Sequence, residues 1–354
     1  MADRTRSGAE QAARGVASFL ERLPTARALA VLTYHRVAPA DARTDLHAGL
    51  CVDPAAFAEQ VRMLQAVASP VSLDDVLAAA AGTAELPARA VHITFDDAYA
   101  DIEEHAWPVL AAAGVPATMF VPTAFPDSGR SFWWDRLSHA VRSVPAPSLW
   151  AGGRSWPTGS DDERDASFTD LRARVAALPH DEAMALVDEV VAASGRLGAT
   201  PSRPATSSWA GLRAMAAEGL ALAAHTREHP FLDRVGPHRL ATEITGSLAD
   251  LRDRTGGAAH PVLAYPSGAH DDAVVEGARA GGVRLAFTTE RGVVDLEQPD
   301  WLRLPRINVG RRAGASLVRV QLDPRAHRAR ALARSGRSRR RSHRTHHNGR
   351  RSWS

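Results

Sequence analysis

Lysine is absent from this sequence, so all 43 basic residues are arginine. Every cation is therefore a guanidinium able to grip a carboxylate or phosphate in a bidentate way, a bias we assign to coding composition rather than to function. A single cysteine, Cys51, excludes an intramolecular disulfide and reads as a buried small hydrophobe with no catalytic part. No apolar run reaches the roughly 18 to 20 residues that a membrane span requires. The first residues, MADRTRSGAEQAARGVASFLERLP, carry charges throughout and lack the uninterrupted apolar core of a secretory signal. The expectation is a soluble cytoplasmic protein, with peripheral membrane attachment left open. No internal repeat is visible, which sets aside solenoid architectures.

What is present suffices for one large domain. With 354 residues and 45% apolar content, the chain can bury a full core as an α/β domain of roughly 250 to 300 residues with appendages. The net charge of +3 hides an asymmetry, because residues 324–354 hold 11 arginines and no acid. The first 323 residues then hold 32 arginines against 40 acids, a net of −8. Residues 324–354 have too little apolar content to pack and read as a disordered basic tail. Such a tail attracts polyanions, whether anionic lipid or nucleic acid.

Between its ends the chain alternates apolar runs with helical periodicity. Residues 1–24 read as an amphipathic helix or leader through Val16, Phe19 and Leu20, stopped by Pro24. Strand patterns follow in Ala28–Val37, in the run ending at Phe95, in Ala117–Thr123, in LALAAH before Thr226, in PVLAYPS at 261–267, in LAFTT at 285–289 and in LRLPRINV at 302–309. Helical spacing separates them, for example Phe57, Val61 and Leu64 behind an Asp53–Pro54 start. A helix from Tyr99 to Gly114 is expected to be disturbed at Pro108. Seven strands alternating with helices predict a parallel α/β barrel or open sheet over residues 25–323. From about 125 to 205 the pattern breaks into a loop rich in Pro, Gly and Trp and two helical segments, read as an insertion over one end of the core. Its tryptophans suit either sugar stacking or a core of their own.

The chemistry concentrates at strand ends. In VHITFDDAYAD an apolar run meets two adjacent carboxylates, Asp96 and Asp97, where a strand of an α/β fold gives way to its loop. A helix cap is the plainer use of one such aspartate. In HTREHP, His225 and His229 close another strand, and their four-residue spacing can bring two imidazoles to one ion. Two histidines and one aspartate can hold a divalent metal with open positions, as in a catalytic site. The second aspartate is then free to take a proton from water, whose pKa a bound zinc ion lowers to about 7.

ITFDDAY, HTREHP and LAYPSG, in this order, resemble the first three motifs of the polysaccharide deacetylases, the NodB-homology domains of carbohydrate esterase family 4. The resemblance covers roughly residues 28–310. It implies a distorted (β/α) barrel that hydrolyses N-acetyl, or some O-acetyl, groups of amino-sugar polymers. Carried across, it makes Asp96 the general base and Asp97, His225 and His229 the ligands of a divalent metal, zinc first, with cobalt or iron also suited. The Leu-x-His motif that supplies the acid in many members has no match between Trp301 and Pro324. TYHRV is instead similar to the permuted branch that includes poly-N-acetylglucosamine deacetylases, which makes His35 the acid that protonates the leaving amine.

Three positions depart from the family pattern. Ala98 stands where glycine usually follows the aspartates. Ser267 replaces a common tyrosine, leaving a backbone N–H as oxyanion donor, with Tyr265 beside it as a substrate-binding residue. Ala264 occupies the place of an arginine that orients the base; Arg306, from a neighbouring strand, is the expected replacement and Arg303 the lesser one. The expected activity is hydrolysis of N-acetyl groups on a glycan or glycan precursor. The alternatives are a weakened carbohydrate-binding protein of the same fold and an amidase acting on a non-sugar C–N bond.

Overall fold

Seven of the apolar runs become strands of one sheet: β1 (Ala28–Tyr34), β2 (Ala90–Phe95), β3 (Ala117–Val121), β4 (Ala221–Ala224), β5 (Val262–Ala264), β6 (Leu285–Arg291) and β7 (Leu304–Asn308). In the computed structural model, which describes residues 2–23, 26–39, 50–195, 205–257 and 259–327, these strands are all parallel and follow one another in chain order. Pairing of β1 with both β2 and β7 closes the ring into a (β/α) barrel. A parallel barrel buries both faces of each strand, which is why the runs read as continuously apolar.

Alternation along each strand sorts these residues into two layers. Ala30, Leu32 and Tyr34 of β1 pack outward with Val91, Ile93 and Phe95 of β2 against the surrounding helices. Leu29 and Val31 face the other way, in a cluster with Phe120, Ala264, Phe287 and Leu304 that fills the barrel. Burying each of these large side chains contributes about 1.5–3 kcal/mol. The interior positions nearest the carboxyl ends of the strands are polar, with Thr33, Thr94 and Arg306 all buried there.

The helical layer comprises α1 (Ala2–Leu20), α2 (Pro54–Val67), α3 (Leu73–Ala80), α4 (Trp107–Ala113), α5 (Trp133–Ser143), α6 (Asp161–Ala177), α7 (His180–Ala193), α8 (Trp209–Ala217), α9 (Pro237–Thr255), α10 (Asp272–Ala280) and α11 (Ala315–Gln321). The start of α2 is capped by Asp53, with Pro54 in its first turn. At Pro108 the chain forms a π-helical stretch, Ile102–Ala106, before α4. Proline has no N–H to donate and crowds the preceding turn, so the wider turn absorbs the conflict.

Within the insertion, α5, α6 and α7 surround a hairpin (Ser148–Ala151 with Arg154–Pro157) and share a core of their own. The hairpin and α5 were not expected from the sequence. Trp156 is in that core and Trp134 is buried beside Tyr99, while Trp150 is exposed on the hairpin. The Arg-rich segment from residue 328 on lies outside the described residues, as do 40–49 and 196–204; residues 324–327 are helical. Among the described residues, no helix is long and apolar enough to cross a membrane.

Candidate active site

The carboxyl end of the barrel gathers the motif residues. Asp96 directly follows β2, and its N–H donates to the Tyr34 carbonyl of β1 (2.9 Å), pinning the loop to the neighbouring strand. Arg306 rises inside the barrel from β7, its guanidinium 5.7 Å from the Phe120 ring and 5.9 Å from that of Phe287. It donates two bonds to Asp96, Nη1 to Oδ1 at 2.8 Å and Nη2 to Oδ2 at 2.7 Å, and its Nε donates to the Thr288 carbonyl. Burial alone would raise the Asp96 carboxyl, but this bidentate cation outweighs it and holds Asp96 below the usual carboxylate range. Arg306 is two strands round from Ala264 rather than on a neighbouring strand. Arg303 lies just before β7 and pairs instead with Asp300 and Asp272.

Beside this pair stand Asp97, His225 and His229, all buried, with one ligand atom from each lying within 4.8 Å of the others. Asp97 Oδ1 is 3.4 Å from His225 Nε2 and 3.3 Å from His229 Nε2, yet it accepts no hydrogen bond. His225 Nδ1 is 2.8 Å from the Ala264 carbonyl, which can only accept, so Nδ1 carries a proton and Nε2 is the nitrogen turned to Asp97. Two imidazole nitrogens and a carboxylate oxygen converging in a buried site form a donor set for a cation. Two ligand atoms each about 2.0–2.1 Å from one tetrahedral ion lie about 3.3 Å apart, so the observed separations fit a divalent metal. The residues present suit such an ion.

The turns that present these groups are strained. Among the described residues seven non-glycine positions have positive φ, and five are at this mouth: Asp97 (73°), Ala98 (51°), Thr226 (63°), His229 (58°) and Ser267 (54°). A left-handed L-residue costs roughly 1–2 kcal/mol, and such strain concentrates where function requires it. His35, at the end of β1, is close enough to favour the ionised forms of both aspartates, and its Nδ1 is buried without a hydrogen-bond partner. Ser267 is exposed just beyond β5. Tyr265, expected to touch substrate, turns into the protein: its hydroxyl donates to the Leu302 carbonyl (3.0 Å) and its N–H to that of Phe287. Neither group is free for a ligand, so that expectation is corrected.

The family model for polysaccharide deacetylase matches residues 83–144 and 188–286, the two stretches that carry Asp96 and Asp97 and the two histidines. The chain belongs to the polysaccharide deacetylase family. It is thus a hydrolase of non-peptide carbon–nitrogen bonds. Its fold is similar to that of the Streptococcus pyogenes deacetylase PplD in complex with acetate, at 18% identity over 85% of this chain and 100% of that one, TM-score 0.57. It is also similar to IcaB from Ammonifex degensii, at 21% identity over 84% and 98%, TM-score 0.55. A de-N-acetylase from Aggregatibacter actinomycetemcomitans matches at 15% identity over 83% and 99%, TM-score 0.56. At these identities the likeness is one of fold. No curated protein matches the chain. His35 and Arg306 lie outside both matched stretches, and the unmatched residues 145–187 are the hairpin, α6 and the start of α7.

Several residues of the enzyme's mouth had not been singled out. The Tyr99 hydroxyl donates to Asp135 Oδ2 (2.8 Å) and accepts from Trp134 Nε1 (2.8 Å), fastening α5 to the loop that carries the aspartates. The Trp134 ring meets that of His229 edge-on at 4.8 Å. Burial pushes the Asp135 carboxyl up to about 7. On α9, buried Glu243 accepts the N–H groups of Arg227 and Glu228, both at 2.9 Å, and so shapes the turn between the two histidines. Arg239 then ties Glu228 of that turn to Asp181 of α7. Glu243 had a signal in the sequence, a charge inside the apolar stripe Leu240, Ile244, Leu248 and Leu251. Asp135 had none, because its helix was read as loop.

Proposed function

We propose that the enzyme removes N-acetyl groups from amino sugars of a polysaccharide or glycan precursor, with Asp96 as general base and His35 as general acid. The observation that carries this reading is the buried, ionised Asp96, locked by Arg306 beside three convergent ligand atoms that suit a metal. When bound there by Asp97, His225 and His229, a divalent metal supplies Lewis-acid activation of water and of the acetamide carbonyl. Asp96 accepts a proton from the attacking water, and Arg306 fixes the carboxylate so that it faces the water and does not rotate away. As the carbon–nitrogen bond breaks, His35 gives its proton to the departing amine, so that acetate and the free amino sugar leave. Ser267 offers its backbone N–H, at the strained end of the LAYPSG turn, to the oxygen that gathers charge.

The similarity of TYHRV to the permuted branch supports His35 in this role, and the names of the similar structures, a de-N-acetylase and a deacetylase in complex with acetate, agree with removal of acetyl groups. A catalytically weakened carbohydrate-binding protein of the same fold is the second reading. The observation that favours it is Ala98, left-handed where the family pattern carries glycine.

Acetate release from short N-acetylglucosamine oligomers separates the readings, measured after chelation and again after zinc or cobalt is restored. Metal-dependent release supports the proposal. Saccharide binding without release, with metal bound in full, supports the binding protein. Release from simple non-sugar acetamides in preference to the oligomers supports an amidase.

A further inference from the structure

The two histidines at the mouth are held in different ways. A metal-ligating imidazole ordinarily donates its second ring nitrogen to an acceptor, which fixes the rotation of the ring. His225 does so, with Nδ1 2.8 Å from the Ala264 carbonyl. His229 does not: its Nδ1 is buried and makes no hydrogen bond among the described residues. The main chain fixes where the His229 side chain starts, through a φ of 58° and an N–H donated to the Thr226 hydroxyl (3.1 Å). Neither restrains the ring about its Cβ–Cγ bond.

The neighbours that do restrain it are aromatic. Trp134 meets the His229 ring at 4.8 Å with the planes 63° apart, and Phe132 meets it at 5.8 Å and 69°. Both are edge-to-face arrangements at separations that aromatic rings prefer. Trp134 is itself fixed twice. Its ring lies flat on Phe132 (4.6 Å, 6°), Phe132 lies on Phe125 (4.4 Å, 17°), and the Arg130 guanidinium closes the stack 4.9 Å from Phe125. Its indole N–H donates to the Tyr99 hydroxyl, which donates to Asp135 Oδ2, both at 2.8 Å. Tyr99, Phe132 and Trp134 are no more than 6% exposed, so the cluster is not a platform for a sugar ring. Two hydrogen bonds in series lock the rotation of the indole, as the supports of a site must if its first layer is to keep one geometry.

We propose that Trp134 is the positioning residue of His229, with Tyr99 and Asp135 holding the indole, and that this contact replaces the hydrogen bond His229 lacks. The inference rests on the reading of His229 as a metal ligand. It gives α5 a part in metal binding although Trp134 cannot ligate: the helix sets the angle at which His229 Nε2 faces the ion.

Chelator competition for zinc, measured on folded protein, tests this. Trp134→Leu keeps an apolar side chain but removes the aromatic plane, and zinc affinity should fall about tenfold or more. Trp134→Phe, which keeps a ring against His229, should recover part of the loss. Tyr99→Phe leaves the packing in place, removes one hydroxyl and releases the indole N–H, so it should weaken zinc in the same direction. Repeating Trp134→Leu and Tyr99→Phe in a His229→Ala background separates positioning from a merely structural part, because neither should then bring a further loss. Unchanged zinc affinity in either variant overturns the proposal, as does an equal loss with and without His229. Wild-type protein that takes up no zinc would instead overturn the metal site itself, and this inference with it.

Discussion

Asp96 is a buried charge held by the guanidinium locked onto it, and that pairing makes it a sensitive probe of the site. Replacing Arg306 with Met leaves the carboxylate buried and uncompensated, which costs about 3–5 kcal/mol of stability. In the wild-type protein the Asp96 carboxyl is held low, so its contribution to stability is present above the ordinary carboxylate range and is lost only as pH falls through the lowered value. Arg306→Met reverses the shift, so the acid limb of the rate profile moves to higher pH. Urea unfolding at pH 7 and the pH dependence of kcat/KM check both effects; a loss under 1 kcal/mol with an unmoved acid limb contradicts this account. Asp135 has the opposite sign. Raised to about 7, it destabilises the folded state increasingly as pH rises from the ordinary value of 3.8. Asp135→Asn keeps an acceptor for the Tyr99 hydroxyl and removes the charge, so between pH 4 and 7 its stability relative to wild type should climb by roughly 3 kcal/mol. A pH-independent difference, measured by denaturant unfolding, counts against a buried carboxyl that resists ionisation. At this scale the aspartates and histidines were legible because their motif fixes which residues share a strand end. Tyr265 was not, because alternation along β5 turns Ala264 into the barrel and Tyr265 toward the helices, and a three-residue strand gives no pattern from which to read the face.

Among the elements, the HTREHP turn shows how a metal-binding shape is maintained by groups that touch no metal. Glu243 on α9 satisfies two of the turn's N–H groups, and His229 N–H donates to the Thr226 hydroxyl (3.1 Å). Glu243→Ala leaves those two N–H groups unpaired and lets the left-handed residues relax, so divalent-metal affinity should fall by about 10- to 100-fold. Chelator competition measures this, and Glu243→Gln, which keeps one acceptor oxygen, should recover most of it. The barrel strands were legible as elements because burial on both faces writes them as apolar runs. α5 and the hairpin were not, since Pro, Gly and four tryptophans between Phe125 and Pro157 mask both periods. α11 escaped notice because its seven residues are too few for helical spacing to stand out.

The whole molecule brings together strand ends that are far apart in sequence: His35 after β1, Asp96 and Asp97 after β2, His225 and His229 after β4, and Arg306 on β7. Alternation of strands and helices implied a parallel sheet, but its closure into a ring was carried by the family resemblance. Register between β1 and β7 depends on contacts that no single segment encodes. If the assembled trio binds metal in the folded state alone, zinc at about 100 times its dissociation constant should raise stability by about 2.7 kcal/mol. Asp97→Ala should abolish the corresponding shift in thermal midpoint, while Asp96→Asn should keep it. That difference between the adjacent aspartates, one a ligand and the other a base, is the centre of the account. Its most direct test is metal content and acetate release measured on one preparation of Asp96→Asn. We expect a full complement of metal with release reduced by about a thousandfold or more, within the span a lost base and its positioning account for. Release within tenfold of wild type, or loss of the metal along with activity, would contradict the assignment of Asp96 as the base.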